Sequence, residues 1–268
     1  MDASPHLSRR KLVAVFTSVL AAAILPRASA AVKKRKAILV DDSHGCSPIT
    51  NEYNFGSAEL GRFLAAGGDT VEGTAAQKEF RAAKAVTLEL LGRFDLFILN
   101  GQCGNHEIPF SDAEIADIGQ WVQGGGGLLV VSAGTGFGNG KTSSIFNPVI
   151  AQFGLEFQDA HLAQTRRINK LKPGHAIVKG LREFFIVHGT PIPAKPPAEE
   201  IAWDGKDCVL ASTRAGLGRV VALGGGSAFM GQTLNSQIMK NSPPMTVAAN
   251  KALLSNLVNW LTAEIPGK

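Results

Sequence analysis

Residues 36–45 read Lys36-Ala37-Ile38-Leu39-Val40-Asp41-Asp42-Ser43-His44-Gly45. A short unbroken apolar run, closed by turn-forming polar residues, is the pattern of a strand covered on both faces, as strands of parallel sheets are. Residues 95–100 (DLFILN), 128–132 (LLVVS) and 219–223 (RVVAL) repeat it, and Thr70-Val71 begins a weaker strand. Helical stretches fall between these runs. Residues 57–66 stop at Gly67-Gly68, and residues 83–92 form a second helix. Ser111-Asp112-Ala113-Glu114 is a capping box ahead of Ile115, Ile118, Trp121 and Val122. A helix over 144–153 is expected to start near Asn147-Pro148 and to stop at Gly154. Residues 248–261 close the chain with Leu253, Leu254, Leu257, Val258 and Leu261 turned inward. Residues 208–212 pair with 219–223 as a hairpin through Gly216-Leu217-Gly218. Residues 155–197, with Pro191, Pro193, Pro196 and Pro197, read as an irregular crossover within the same domain. Strands alternating with helices predict an α/β three-layer sandwich, a mostly parallel sheet with helices on both faces.

Upstream of the first strand, Ser8-Arg9-Arg10-Lys11 precedes an apolar run over 12–25, and Ala28-Ser29-Ala30 follows it. A basic start, a short apolar stretch and small residues at a cut site form an export signal. The run is shorter than the roughly 20 residues a membrane span requires. Residues 1–30 are therefore expected to be a cleaved leader, with Ala31 as the new N-terminus and 31–268 as a single domain. The paired arginines resemble a twin-arginine signal, the route of proteins exported after folding. Ordinary secretory leaders also carry two basic residues, so both routes stay open. The expected location is periplasmic or extracellular.

The leader holds Arg9, Arg10, Lys11 and Arg27 against Asp2, so three of the five net positive charges leave with it and two remain. Lys33-Lys34-Arg35-Lys36 then forms a basic tail into the first strand. No aromatic residues interleave with these charges, which argues against a nucleic-acid partner. No later apolar run approaches membrane length. The three cysteines, Cys46, Cys103 and Cys208, are too few for a disulfide scaffold. A Cys46–Cys103 bridge and free buried thiols both remain open.

Ligands of open α/β sheets bind at the carboxyl ends of the strands. Four segments fall there: Asp41–Gly45, Asn100–His106, Ser132–Gly136 and Gly224–Ser227. The candidate ligand-binding residues are Asp42, His44, Asn100, Gln102, Asn105, Ser132, Thr135, Gly225 and Ser227, with main-chain amides of the glycine loops beside them. Concave sites with a few convergent polar groups suit a small polar ligand such as a saccharide. No cofactor is implied. Residues 134–142 (GTGFGNGKT) fail the phosphate-loop pattern, because the position five before Gly140 is Thr135 rather than glycine. Ser132 lacks the first glycine of a G-x-S-x-G elbow, since Val130 stands there. His44 and His106, with Asp41, Asp42 and Glu107, are sufficient in kind for a zinc site, but no H-E-x-x-H spacing is present. A hydrolase using that metal or Ser132 as nucleophile is the competing expectation. His175 and His188 read as turn or core histidines, and Asn51, Tyr53 and Asn54 as a polar-aromatic patch.

The runs Ile38–Gly45, Phe94–Asn100 and Gly125–Val131 together resemble the class I glutamine amidotransferase-like fold. Phe146–Leu155, Gly218–Gly224 and the Asn250–Trp260 close are similar to its non-amidotransferase branch. That branch includes domains of gliding-motility transport proteins, an intraflagellar-transport subunit and the trimerisation domain of some beta-galactosidases. The resemblance covers most of residues 36–262 and implies a flavodoxin-like sheet. Amidotransferases carry a nucleophilic cysteine after the strand corresponding to 128–131, where this chain has Ser132-Ala133-Gly134. They carry a histidine and glutamate after the strand corresponding to 220–223, where this chain has Gly224-Gly225-Gly226. Without thiolate and base, thiol acyl transfer has no machinery. The resemblance therefore implies a scaffold that binds a glycan or a partner protein and no longer performs amidotransfer.

Overall fold

The first strand, β1 (Ala37–Val40), lies inside a sheet and is flanked by two parallel neighbours, β2 (Thr70–Gly73) and β3 (Leu96–Asn100). This computed structural model describes residues 35–46, 48–50, 52, 56–74, 85–101, 108–132, 142–160, 162–226, 228–230 and 245–264. Beyond β3 the sheet continues in parallel through β4 (Gly127–Val131) and β10 (Gly218–Leu223). It then turns antiparallel through β9 (Asp207–Ala215), β8 (Glu199–Asp204) and β6 (Lys170–Leu171). The order among the described residues is β2-β1-β3-β4-β10-β9-β8-β6. The mostly parallel α/β sheet expected from the alternating pattern is the one observed, with an antiparallel extension of three strands at one edge.

The unbroken apolar runs follow from burial on both sides. Ile38, Val40, Leu96, Ile98, Leu129, Val131, Val221 and Leu223 face one core. Leu60 and Leu64 of α1 (Ala58–Ala66) cover it, with Leu253, Leu254, Leu257, Val258 and Leu261 of α5 (Met245–Leu261). The alternate residues Leu39, Phe97, Leu99, Leu128, Val130, Val220 and Ala222 face a second core. That side is covered by α2 (Leu88–Leu91), α3 (Asp112–Gln123) and α4 (Thr142–Ile150). Each fully buried Leu, Ile or Phe contributes about 1.5–3 kcal/mol relative to exposure. Among the described residues no helix is long and apolar enough to cross a membrane, and the described residues from Arg35 onward group as one compact unit.

Three local expectations differ from the structure. The second helix, expected over 83–92, is only Leu88–Leu91 in the described part. Its start is set by Thr87, whose side chain accepts the Leu90 N–H, while Glu114 and Asp117 of α3 take the Val86 and Leu88 N–H groups. Helix α4 starts at Thr142 rather than near Asn147, so Pro148 sits inside it. The pyrrolidine nitrogen has no hydrogen to give the Ser144 carbonyl, and the α-helix ends two residues later in a 3-10 turn, Ala151–Phe153, with Gly154 left-handed at φ 74. Finally, residues 155–197 are not irregular throughout. They contain β5 (Leu162–Ile168), which pairs antiparallel with β7 (Phe184–Gly189), as well as β6. The polar LAQTRRI sequence of β5 and a register shift between Leu162 and Thr165 hide the strand from period-2 reading.

Candidate functional site

Because β1, β3, β4 and β10 run parallel and adjacent, their carboxyl ends share one edge of the sheet. The first strands are tied together there: Cys46 and Gly101 form a bridge between the segments after β1 and β3, and the Asp41 N–H donates to the Ile98 carbonyl. The described candidates Asp42, His44, Asn100, Ser132 and Gly225 all lie along this edge, and all are buried. They form its floor. Gln102, Asn105, Thr135 and Ser227 lie outside the described residues, as do Cys103, His106, Glu107, the glycine loop 133–141 and the Asn51, Tyr53 and Asn54 patch.

The segment after β1 folds around the Asp41 carboxylate. It accepts the His44 N–H at 2.8 Å, the Ser43 hydroxyl at 2.9 Å and the Thr74 hydroxyl at 3.0 Å. His44 Nδ1 lies 3.1 Å from Asp41 Oδ1 and 2.9 Å from Ser43 Oγ. His44 Nε2 lies 3.6 Å from Glu114 Oε1, an ionic contact longer than a hydrogen bond. The ring stacks on Phe110 with centroids 3.8 Å apart. Burial pushes the Asp41 carboxyl up, but the hydrogen bond and charge of His44, with the His44 backbone and Ser43 bonds, outweigh it and hold the group below the usual carboxylate range. Glu114 is likewise held low, because the Val86 and Ser111 bonds and His44 outweigh its burial. An imidazole oriented by a carboxylate is the geometry of a general base. Here, however, Nδ1 is already bonded, Nε2 faces the Glu114 carboxylate and the residue is 3% exposed, so the cluster works as a buried strut between β1 and α3.

Asp42 is spent on local structure. Its N–H donates to Thr74 Oγ1, its Oδ1 accepts the Ile49 N–H, and its carboxylate lies against Gly73, where any Cβ would overlap it. Ser132 donates its N–H to the Leu223 carbonyl, and its Oγ lies 2.8 Å from Thr142 Oγ1 at the start of α4. Gly225 gives its N–H to the Leu223 carbonyl. A Cβ on Gly224 would overlap the Thr190 carbonyl oxygen, and one on Gly225 would meet the Ile186 side chain. Asn100 donates from Nδ2 to Ser57 Oγ at 3.0 Å, while its Oδ1 is buried with no partner.

Thr74, Phe110, Glu114 and Ser57 belong to this floor and were not singled out from the sequence as site residues. Glu114 is visible there as the closing glutamate of a capping box, and the box is formed, but its second contact with His44 carries no local signal. Cys46 and Cys208 are free thiols. Burial, then the charge of Asp41, pushes the Cys46 thiol well up, and burial pushes Cys208 up to about 12. Among the described residues no group of three or more His, Cys, Asp or Glu could hold a metal ion. His175 caps a short 3-10 turn by accepting the Ile177 N–H. A cleft of about 550 Å³ opens beside α4, lined by Ser143, Ser144, Asn147, Glu156, Phe157, Gln158, Asp159 and Ala160, and none of the candidate residues lines it.

The fold and edge define an open α/β protein whose strand ends form a polar floor. No protein-family model matches this chain, and no curated protein matches it. Solved structures share its fold. The IFT52 N-terminal domain aligns with a TM-score of 0.61 at 15% identity, covering 85% of this chain and 98% of that one. A ThuA-like protein from Bacteroides uniformis aligns at 0.54 and 14% identity, covering 90% and 97%. The exo-beta-1,4-mannosidase of an Opitutaceae bacterium aligns at 0.52 and 14% identity, covering 86% of this chain and 37% of that one. At these identities the similarity is one of fold.

Proposed function

We propose that the chain is an exported binding module of the non-catalytic branch of class I glutamine amidotransferase-like proteins, which recognises a saccharide or another small polar ligand at its strand-end edge. The observation that carries the reading is at Gly224. The position after β10, where amidotransferases keep their base, is closed to any side chain by the Thr190 carbonyl. The absence of a cysteine at 132 removes the nucleophile as well, so the edge retains shape and polarity without acyl-transfer chemistry. Parallel strand ends are where this class of sheet takes ligands. The fold shared with a segment of a mannosidase supports a saccharide over other polar ligands; a partner protein is the other occupant that the resemblance to the non-catalytic branch implies.

The test uses protein purified from the exported fraction. N-terminal sequencing is expected to begin at Ala31. A panel of mono- and oligosaccharides is expected to contain members that raise the melting temperature in a concentration-dependent way, because a ligand bound only to the folded state stabilises it. Stoichiometric zinc, or hydrolytic turnover that disappears in Ser132→Ala, would replace this reading with the hydrolase.

A further inference from the structure

Asn100 closes β3 with its side chain turned to the α1 side of the sheet, in line with Leu96 and Ile98. It is fully buried. Its Nδ2 reaches Ser57, the residue that starts α1, and its Oδ1 has no donor. A buried unpaired carbonyl costs about 1–3 kcal/mol if nothing meets it. Ser57 makes no side-chain cap to α1. The N–H groups of Ala58 and Leu60, both in the first turn and both buried, find no acceptor among the described residues. One unmet acceptor thus adjoins a helix start with unmet donors. Most helix starts of this kind favour an anion, but here the acceptor Oδ1 and the nearby end of β1, with Asp41 and Asp42, oppose one. A hydroxyl group both gives and takes a hydrogen bond. It also fits either orientation of the amide, because a turned Asn100 would offer its NH2 to the hydroxyl oxygen.

We propose that Asn100 and the N-terminus of α1 form a subsite for one hydroxyl group of a neutral polyol. The subsite deepens the strand-end reading above and rests on it for the choice of ligand class.

The test is a titration of the 15N-labelled protein with glycerol, and separately with inorganic phosphate, followed by NMR. Glycerol is expected to shift the Asn100 side-chain amide and the Ala58 and Leu60 backbone amides along one saturable curve, whereas phosphate leaves them in place. Asn100→Leu is expected to weaken that curve about tenfold or more. Asn100→Asp keeps the shape, but its carboxylate can itself take the Ala58 and Leu60 N–H groups, so it is expected to weaken the curve as well. Ser57→Ala frees Nδ2 and should change the shift of the side-chain amide. The inference is overturned if glycerol moves none of the three groups, which would leave the position to a structural water. It is also overturned if phosphate moves them, or if both Asn100 variants bind glycerol as the wild type does. The two readings fail separately. A saccharide hit that Asn100→Leu and Asn100→Asp retain sinks the subsite and keeps the binding edge. An empty saccharide panel with an intact glycerol response sinks the broader reading alone.

Discussion

Asp41 Oδ1 and His44 Nδ1 lie 3.1 Å apart in the buried turn after β1, and on the far side of the ring Glu114 Oε1 lies 3.6 Å from Nε2. One imidazole therefore joins the end of a central strand to the first turn of α3. Asp41 and Glu114 titrate below their ordinary values in the folded chain. The unfolded values are about 3.9 and 4.3. Their stabilisation is thus fully present above about pH 5 and is lost as the pH falls through the lowered folded values. Asp41→Asn should destabilise the protein at pH 7 by about 2–3 kcal/mol, because one oxygen becomes an NH2 that cannot accept the His44 main-chain N–H and the negative charge facing His44 is lost. It should also flatten the acid limb. Urea unfolding followed by tryptophan fluorescence between pH 7 and pH 3 checks both, and an acid limb unchanged in Asp41→Asn would remove Asp41 from the account.

That cluster marks the boundary of what was legible in the sequence. The strands β1, β3, β4 and β10 were readable because residues such as Phe97 and Ile98 are buried on opposite faces and leave no polar gap. The edge they share followed from the parallel order alone. The contacts His44–Glu114 and Asn100–Ser57 join residues 70 and 43 positions apart, and neither spacing leaves a mark in a local pattern. The β5–β7 pair was missed for a related reason: the pairing, rather than hydrophobic alternation, defines β5. Pro148 misled in the other direction. Proline favours the first turn of a helix, but packing of Ile145, Phe146, Val149 and Ile150 on the second core outweighs its missing N–H.

Gly224→Ala should be costly despite ordinary backbone angles. The added methyl would overlap the Thr190 carbonyl oxygen, a backbone atom that cannot rotate away. Overpacking of this kind costs about 1–3 kcal/mol. A drop in denaturation midpoint of that size is the expected result. A neutral Gly224→Ala would show that the position after β10 has room for a side chain, and so would weaken the case against a base there.

Asn250 fastens α5 to β7 and to the turn after β10. Its Oδ1 accepts the Phe185 N–H at 2.9 Å, and its Nδ2 donates to the Phe185 carbonyl at 2.8 Å and the Ala228 carbonyl at 2.9 Å. All of this is buried. Asn250→Ala removes three hydrogen bonds to main-chain groups, each worth about 1 kcal/mol or more. The expected loss is about 3 kcal/mol, with faster hydrogen exchange at the Phe185 amide. Asn250→Asp keeps the contact to the Phe185 N–H but sets a second acceptor oxygen against two carbonyls in a buried site, so it should be no more stable than Asn250→Ala.

Ser132 offers a direct test of the proposed loss of acyl-transfer chemistry. Its hydroxyl is fully buried and lies 2.8 Å from Thr142 Oγ1, so Ser132→Ala should cost about 1 kcal/mol. Ser132→Cys would restore the nucleophile atom of an amidotransferase. It should still give no glutamine hydrolysis, because Gly224 holds the place of the base and the Thr190 carbonyl keeps any side chain out. A thiol without a base or a lowered pKa stays mostly protonated at neutral pH. Glutaminase turnover by Ser132→Cys would mean that another group can take its proton, and His44 would be the first to substitute in the search for it.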